Sequence, residues 1–116
     1  MKKNISAIVG YPTVKAFLED TYNPNDRYFI RPFVACKDGF TVSIQGGDDF
    51  HYCTPRKRVN EYEAVELGFP SESDPLIMEY AENPAIPTET VYGWVPLDVV
   101  EKLIAKHGGI SHIPQC

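Results

Sequence analysis

The pair Asp38-Gly39, set between apolar runs in "RYFIRPFVACKDGFTVSIQ", constrains this chain more than any other feature. Asp-Gly favours a two-residue hairpin turn, so the segment predicts two antiparallel strands. Counting outward from the turn pairs Lys37 with Phe40, Ala35 with Val42 and Phe33 with Ile44. Phe29, Phe33, Ala35, Phe40, Val42 and Ile44 then form the core face. Tyr28, Ile30, Val34 and Cys36 fall on the other face, beside Thr41, Ser43 and Gln45. Pro32 has no N–H to give a ladder, which predicts an open side or a bulge there.

Around this hairpin, three segments begin with proline where a helix accepts it, in the first turn. "YPTVKAFLEDTY" starts at Pro12 and puts Val14, Phe17 and Leu18 on one helical face. "SDPLIMEYAEN" predicts a short helix with Asp74 as N-cap and Pro75 behind it. "VPLDVVEKLIAKHGG" carries the stripe Val99, Val100, Leu103 and Ile104. Its Lys106 and His107 suit the negative helix end, and Gly108 supplies a left-handed stop. "EYEAVELGF" alternates as a strand with Val65, Leu67 and Phe69 inward, and "ETVYGWVP" reads as the last strand. The expected architecture is α+β, one domain over residues 1–116, with a small antiparallel sheet and two or three helices packed on one face.

Several function classes are set aside by what the chain is made of. No apolar run approaches the roughly 18 residues of a membrane span, and the opening "MKKNISAIVGYP" is too short in apolar residues for a secretory signal. Three cysteines without framework spacing suit a reducing cytosol, so a cytoplasmic location is expected. A pI near 5.1 argues against a general nucleic-acid binder.

The chemistry-bearing stretch is "HYCTPRKR", three consecutive cations in a chain of net charge −5. His51 and Cys53 are two apart and would share a strand face, with Arg56 near enough to lower the thiol pKa. A helix N-terminus behind the thiol and a third residue to orient the histidine are missing, so a catalytic pair is poorly supported. Cys36, His51, Cys53, His112 and Cys116 include zinc-ligand types, but no CxxC or HxxxH spacing brings them together, and no metal or cofactor is expected. No GxGxxG or GxxxxGK[ST] loop occurs, and "QGGDDF" reads as a flexible turn. After an extending Thr54-Pro55 step, Arg56 and Arg58 would share one face and fork onto phosphate or carboxylate oxygens. Tyr52 and Tyr62 would offer flat surfaces to a base, with Arg31 approaching from a neighbouring strand and His51 adding a hydrogen bond. Set against this is a solvated turn whose charges pair with Glu61, Glu63 and Glu66. Tyr92 and Trp94 are expected on one strand face, as core packing or as a stacking and assembly surface.

Together "CKDGFTVSIQ", "HYCTPR", "YEAVELGFPS" and "PTETVYGWVPLDVVEKLIAKHGGI" resemble a group of small uncharacterised proteins carried by phages and prophages of Firmicutes. The resemblance covers roughly residues 30–110 and carries over no functional residues. It implies an anti-defence role in the host bacterium's cytoplasm: a non-enzymatic, oligomeric sponge that sequesters a nucleotide-derived immune signal. The expected partners are thus a small phosphorylated or nucleotide-derived ligand and further copies of the chain, with no membrane. The competing readings are an anti-CRISPR-like inhibitor of a host nuclease complex and a small cysteine-dependent hydrolase built on Cys53 and His51.

Overall fold

The computed structural model describes residues 10–114, so the opening "MKKNISAIV" and Cys116 lie outside the described residues. Within them the chain forms β1 (Val34–Cys36), β2 (Thr41–Gln45), β3 (Ala64–Gly68), β4 (Val91–Pro96) and β5 (Ile110–His112). These pair antiparallel as one five-stranded sheet in the order β4-β3-β2-β1-β5. Helices α1 (Val14–Thr21) and α2 (Leu97–Lys106) and a short 3₁₀ turn at Met78–Tyr80 complete the α+β architecture.

The periodicity that predicts α1 also buries it: Val14, Phe17 and Leu18 are fully enclosed. Its start differs from the expectation. Pro12 stands outside the helix, and Thr13 is the N-cap, its Oγ1 accepting the Ala16 N–H at 3.0 Å. Two more N–H groups of the first turn, those of Val14 and Lys15, donate to the Glu101 carboxylate of α2 at 2.8 and 3.1 Å. One acidic side chain thus satisfies otherwise unpaired donors of α1 and ties the two helices together. In α2 the buried face is Val100, Leu103 and Ile104, and Pro96 occupies the N-cap position rather than the first turn. The helix ends as its glycines predict. Gly108 and Gly109 both have positive φ, and their N–H groups return to Ala105 and Ile104 at 3.0 and 2.9 Å, a Schellman closure.

The hairpin exists, but its register is one residue from the predicted one. Val34 faces Val42 and Ala35 faces Thr41, while the Cys36 N–H donates to the Phe40 carbonyl at 2.8 Å. The loop is therefore three residues, Lys37 to Gly39, with only Gly39 at positive φ. A slip of one residue exchanges the faces of a strand. Val34 and Cys36 accordingly point into the core, and Phe33 is exposed. Pro32 stands before β1, outside its paired residues, and the irregularity of that strand is a register shift against β5 between Ala35 and Cys36.

Three further expectations need correction. Asp74 does accept the Leu76 N–H at 2.9 Å, but the chain beyond it forms a turn and a 3₁₀ segment instead of an α-helix. Phe69 comes after β3 at positive φ and is exposed, so the inward face of that strand is Val65 and Leu67 alone. β4 is not the last strand, because β5 comes after α2 and pairs with β1.

Side chains from both helices meet Val42, Ile44, Val65, Leu67, Tyr92 and Val95 in one core, which places both helices on the same sheet face. Each fully buried side chain of this size contributes about 1.5–3 kcal/mol. Both outer strands are partly covered by irregular chain. Tyr11 bridges to Ile110 of β5, and Glu82 and Tyr52 bond Val91 and Trp94 of β4. Such cover shortens the free edge onto which another chain would add a strand. No helix of the described residues is long and apolar enough to cross a membrane.

Candidate functional site

The loop leaving β2 is built around a buried carboxylate. Gly47 takes a positive φ, and a Cβ there would lie 2.9 Å from the Val59 carbonyl. This tight passage delivers Asp48 to the interior, where its Oδ1 accepts the N–H groups of Phe50 and His51 at 3.1 and 2.7 Å. Its Oδ2 meets His51 Nδ1 at 2.6 Å. Burial pushes the Asp48 pKa up, but these bonds outweigh it and the net shift is downward. The stretch expected as a flexible turn is therefore a capped, enclosed loop, and Asp49 pairs outward with Arg27 at 2.9 Å.

His51 lies between two acids. Its Nε2 is 3.9 Å from Glu66 Oε1, beyond a direct hydrogen bond, and Glu66 Oε2 accepts the Tyr52 N–H at 3.2 Å. Burial raises the Glu66 pKa. Cys53 faces elsewhere: its Sγ donates to the carbonyls of Asp48 and Pro55 at 3.6 Å each. Burial raises the thiol pKa, and the charge of Arg56 does not offset it. A thiol so held is a weak nucleophile. Among the described residues no group of three or more His, Cys, Asp or Glu is placed to hold a metal ion.

Beyond His51 the chain surfaces. The Tyr52 ring stacks on Trp94 with centroids 4.8 Å apart and planes 22° from parallel. Two features of β4 permit this. Gly93 leaves room, since a Cβ there would lie 3.2 Å from Tyr52 Cβ. Trp94 adopts φ +51, beside the register shift between Val65 and Leu67. Left-handed backbone is uncommon for a bulky residue and marks a position held by its surroundings. Here the Trp94 N–H donates to the Tyr52 carbonyl at 2.9 Å. The indole is 52 % exposed, whereas Tyr92, expected on the same face, is fully buried with its hydroxyl on the Pro87 carbonyl.

Arg56 completes this strip. Its guanidinium carbon lies 5.5 Å from the Tyr52 ring centroid, and one N–H donates to the Phe50 carbonyl at 3.0 Å. Arg58 instead reaches the Pro24 carbonyl at 3.2 Å, and its own carbonyl accepts from Tyr22. The Thr54–Pro55 peptide is cis, and residues 57–60 bend rather than extend. Hence the two arginines anchor to different loops and do not stand as a fork on one strand face. Neither is ion-paired to Glu61, Glu63 or Glu66 among the described residues.

Arg31 and Tyr62 belong to the interior. Arg31 is 3 % exposed, and its guanidinium donates to Thr21 Oγ1, the Gly46 and Leu18 carbonyls and Tyr62 Oη at 2.6–2.9 Å. Gln45 grips its backbone in both directions, at 2.9 Å each. Burial lowers the Arg31 pKa and raises that of Tyr62 to about 12. Four segments distant in sequence meet there, which is why no local pattern announces it.

No known protein family, curated protein or solved structure matches the chain.

Proposed function

We propose that this chain is a non-enzymatic binding protein of the phage anti-defence kind, working in the host cytoplasm, that captures a nucleotide-derived signal on the Trp94–Tyr52–Arg56 strip. The observation that carries the reading is the exposed indole of Trp94, fixed against Tyr52 with a guanidinium over the same tyrosine ring. A rigid aromatic plate with one open face stacks on any nucleobase at about 1–3 kcal/mol per base. An arginine beside it supplies charge-assisted bonds to a phosphate. Of its guanidinium N–H groups, the bond to Phe50 is the one made to a described residue, so donors remain for a ligand. His51, next in sequence to Tyr52, would add a polar contact through Nε2, since Nδ1 is held by Asp48. Arg58 would reach the ligand only by leaving the Pro24 carbonyl. Arg31 and Tyr62 hold the scaffold behind them.

The chemistry supports capture over turnover, since the Cys53 thiol is bonded to carbonyls with a raised pKa and His51 Nδ1 is held by Asp48. A homo-oligomer would enclose the ligand between side-chain surfaces, because the covered sheet edges disfavour strand addition. Trp, Tyr and Arg are also the residues that dominate protein interfaces, so a host nuclease complex is the competing partner.

A thermal-shift panel of AMP, GMP, cyclic dinucleotides and ADP-ribose tests the reading. At least one member should raise Tm by mass action, by the equivalent of about 2.7 kcal/mol at a hundredfold excess over Kd. An Arg56→Ala, Trp94→Ala double variant should keep its fold and lose the shift. A panel without effect, together with a host nuclease complex co-purifying with the wild-type chain, would replace this proposal with the inhibitor.

A further inference from the structure

Away from the strip, at the corner where α2 turns into β5, His107 is buried with both ring nitrogens on carboxylates. Nδ1 is 2.7 Å from Asp38 Oδ2, and Nε2 is 2.9 Å from Asp74 Oδ2. Its ring stacks on Phe40 with centroids 4.0 Å apart and planes 9° from parallel. The two acids come from different elements, Asp38 from the β1–β2 loop and Asp74 from the turn before the 3₁₀ segment. The backbone joins the same elements. The His107 carbonyl accepts the Asp38 N–H and the Gly109 carbonyl accepts the Lys37 N–H, both at 3.2 Å.

A neutral imidazole has one donor and one acceptor nitrogen, so it cannot donate to two carboxylates at once. Both acids here have independent reasons to stay ionised. Asp38 Oδ1 accepts the Phe40 N–H at 2.9 Å, while Asp74 takes the Leu76 N–H at 2.9 Å and Lys106 Nζ at 3.1 Å. Those bonds, together with the ones to His107 itself, hold both carboxyls below their ordinary range, for Asp74 against the upward push of burial. The charged groups packed round the ring are then Asp38 from the hairpin loop, Asp74 from the turn and Lys106 from α2. Lys37 reaches the same corner, its Cβ lying 2.8 Å from where a Gly108 Cβ would stand. Cys36, at the hairpin base, is kept a thiol by burial and by Asp38, its pKa pushed up to about 11. With a proton on both ring nitrogens, Asp38, Asp74, His107 and Lys106 balance in charge. Without the second proton, a ring lone pair faces a carboxylate oxygen.

We propose that His107 is held as a buried imidazolium and forms a protonation latch, fastening the α2–β5 corner to the β1–β2 loop and releasing it when the second ring proton is lost. Burial alone would lower the histidine pKa, but its bonds to Asp38 and Asp74 outweigh that and raise it. Linkage sets the sign. A raised folded pKa gives a contribution that is complete below the unfolded value of about 6.5 and lost as pH rises through the folded one. The depressed carboxyls contribute above their unfolded value of about 3.9, and that part is lost as pH falls through their folded values. The latch is therefore tightest between those limits and opens on the alkaline side.

Ring-proton NMR across pH tests this, with His107→Gln assigning the resonance among the three histidines. His107 should titrate above a free histidine and show both ring nitrogens protonated at pH 7. Asp38→Asn should bring that titration down without unfolding the protein, because the Asp38 side chain is 51 % exposed. Amide exchange at Lys37 and at position 38, the two N–H groups that donate across the corner, corrected for base catalysis, should then quicken relative to the α2 interior. Titration at or below the free-histidine value, or a single neutral tautomer at pH 7, would overturn the proposal. So would unchanged exchange at Lys37 and Asp38 once the proton is lost. If His107→Gln does not fold, Asp38→Asn carries the same test.

Discussion

Arg31 and Arg56 each sit over a tyrosine ring at almost the same distance, 5.4 Å to Tyr62 and 5.5 Å to Tyr52. In every other respect they differ. Arg31 is enclosed, and its bonds join the end of α1, the loop after β2 and Tyr62. Arg56 is exposed and makes one backbone bond at the rim of an aromatic stack. The pairing of residue types is the same, so the pairing does not set the role. Burial does, together with the number of donors already satisfied: an arginine bonded on every side supports the fold, and one bonded on one side can meet a ligand.

That contrast is sharpest in the variants. Arg31→Ala removes at once the donors to the Thr21 hydroxyl, the Leu18 and Gly46 carbonyls and the Tyr62 hydroxyl, and should cost about 3–5 kcal/mol in urea unfolding or prevent folding. Tyr62→Phe keeps the ring but removes the hydroxyl bonded to Arg31 and Asn60, with an expected loss of about 1–3 kcal/mol by the same assay. Asp48→Asn removes the charge facing His51 and should reduce acid sensitivity. Because the Asp48 pKa is depressed, its contribution is present above about pH 3.9 and lost as pH falls, so the variant's Tm should depend less on pH below that value. At the strip, Arg56→Ala should change stability by no more than about 0.5 kcal/mol, and Trp94→Ala, which loses the stack on Tyr52, by about 0.5–1.5 kcal/mol. Their effect should appear in ligand affinity, as a loss of about tenfold or more. A large stability loss at Arg56, or a small one at Arg31, would erase the distinction between the two sites.

The local signals in the sequence were the readable ones. The stripe Val100, Leu103 and Ile104 and the glycine pair after it specify α2 and its ending, because both depend on neighbours within a few residues. The hairpin was visible in Asp38-Gly39, but not its register. Phe33 and Ala35 on one face, and Val34 and Cys36 on the other, are apolar enough to satisfy either pairing. β5, three residues long, offers no periodicity to detect. In the candidate site, Tyr52, Arg56 and Trp94 were identifiable as residue types, yet their association was not. It depends on the left-handed backbone at Trp94 and the space left by Gly93, which bring a residue of β4 to one 42 positions earlier. Arg31 and Tyr62 were misplaced for a related reason: a buried polar junction is recognisable only when its distant partners are assembled. The pair Arg56 and Arg58 fails as a fork because the chain bends where an extended strand was expected.

Trp94 is the chain's sole tryptophan, so its emission reports on the proposed binding face without labelling. Titrating the folded protein with the nucleotide panel should give saturable quenching by at least one member, with the curve shifted about tenfold or more to higher concentration in Arg56→Ala. Emission that stays flat across every nucleotide, from protein shown to be folded, would contradict the assignment of this surface.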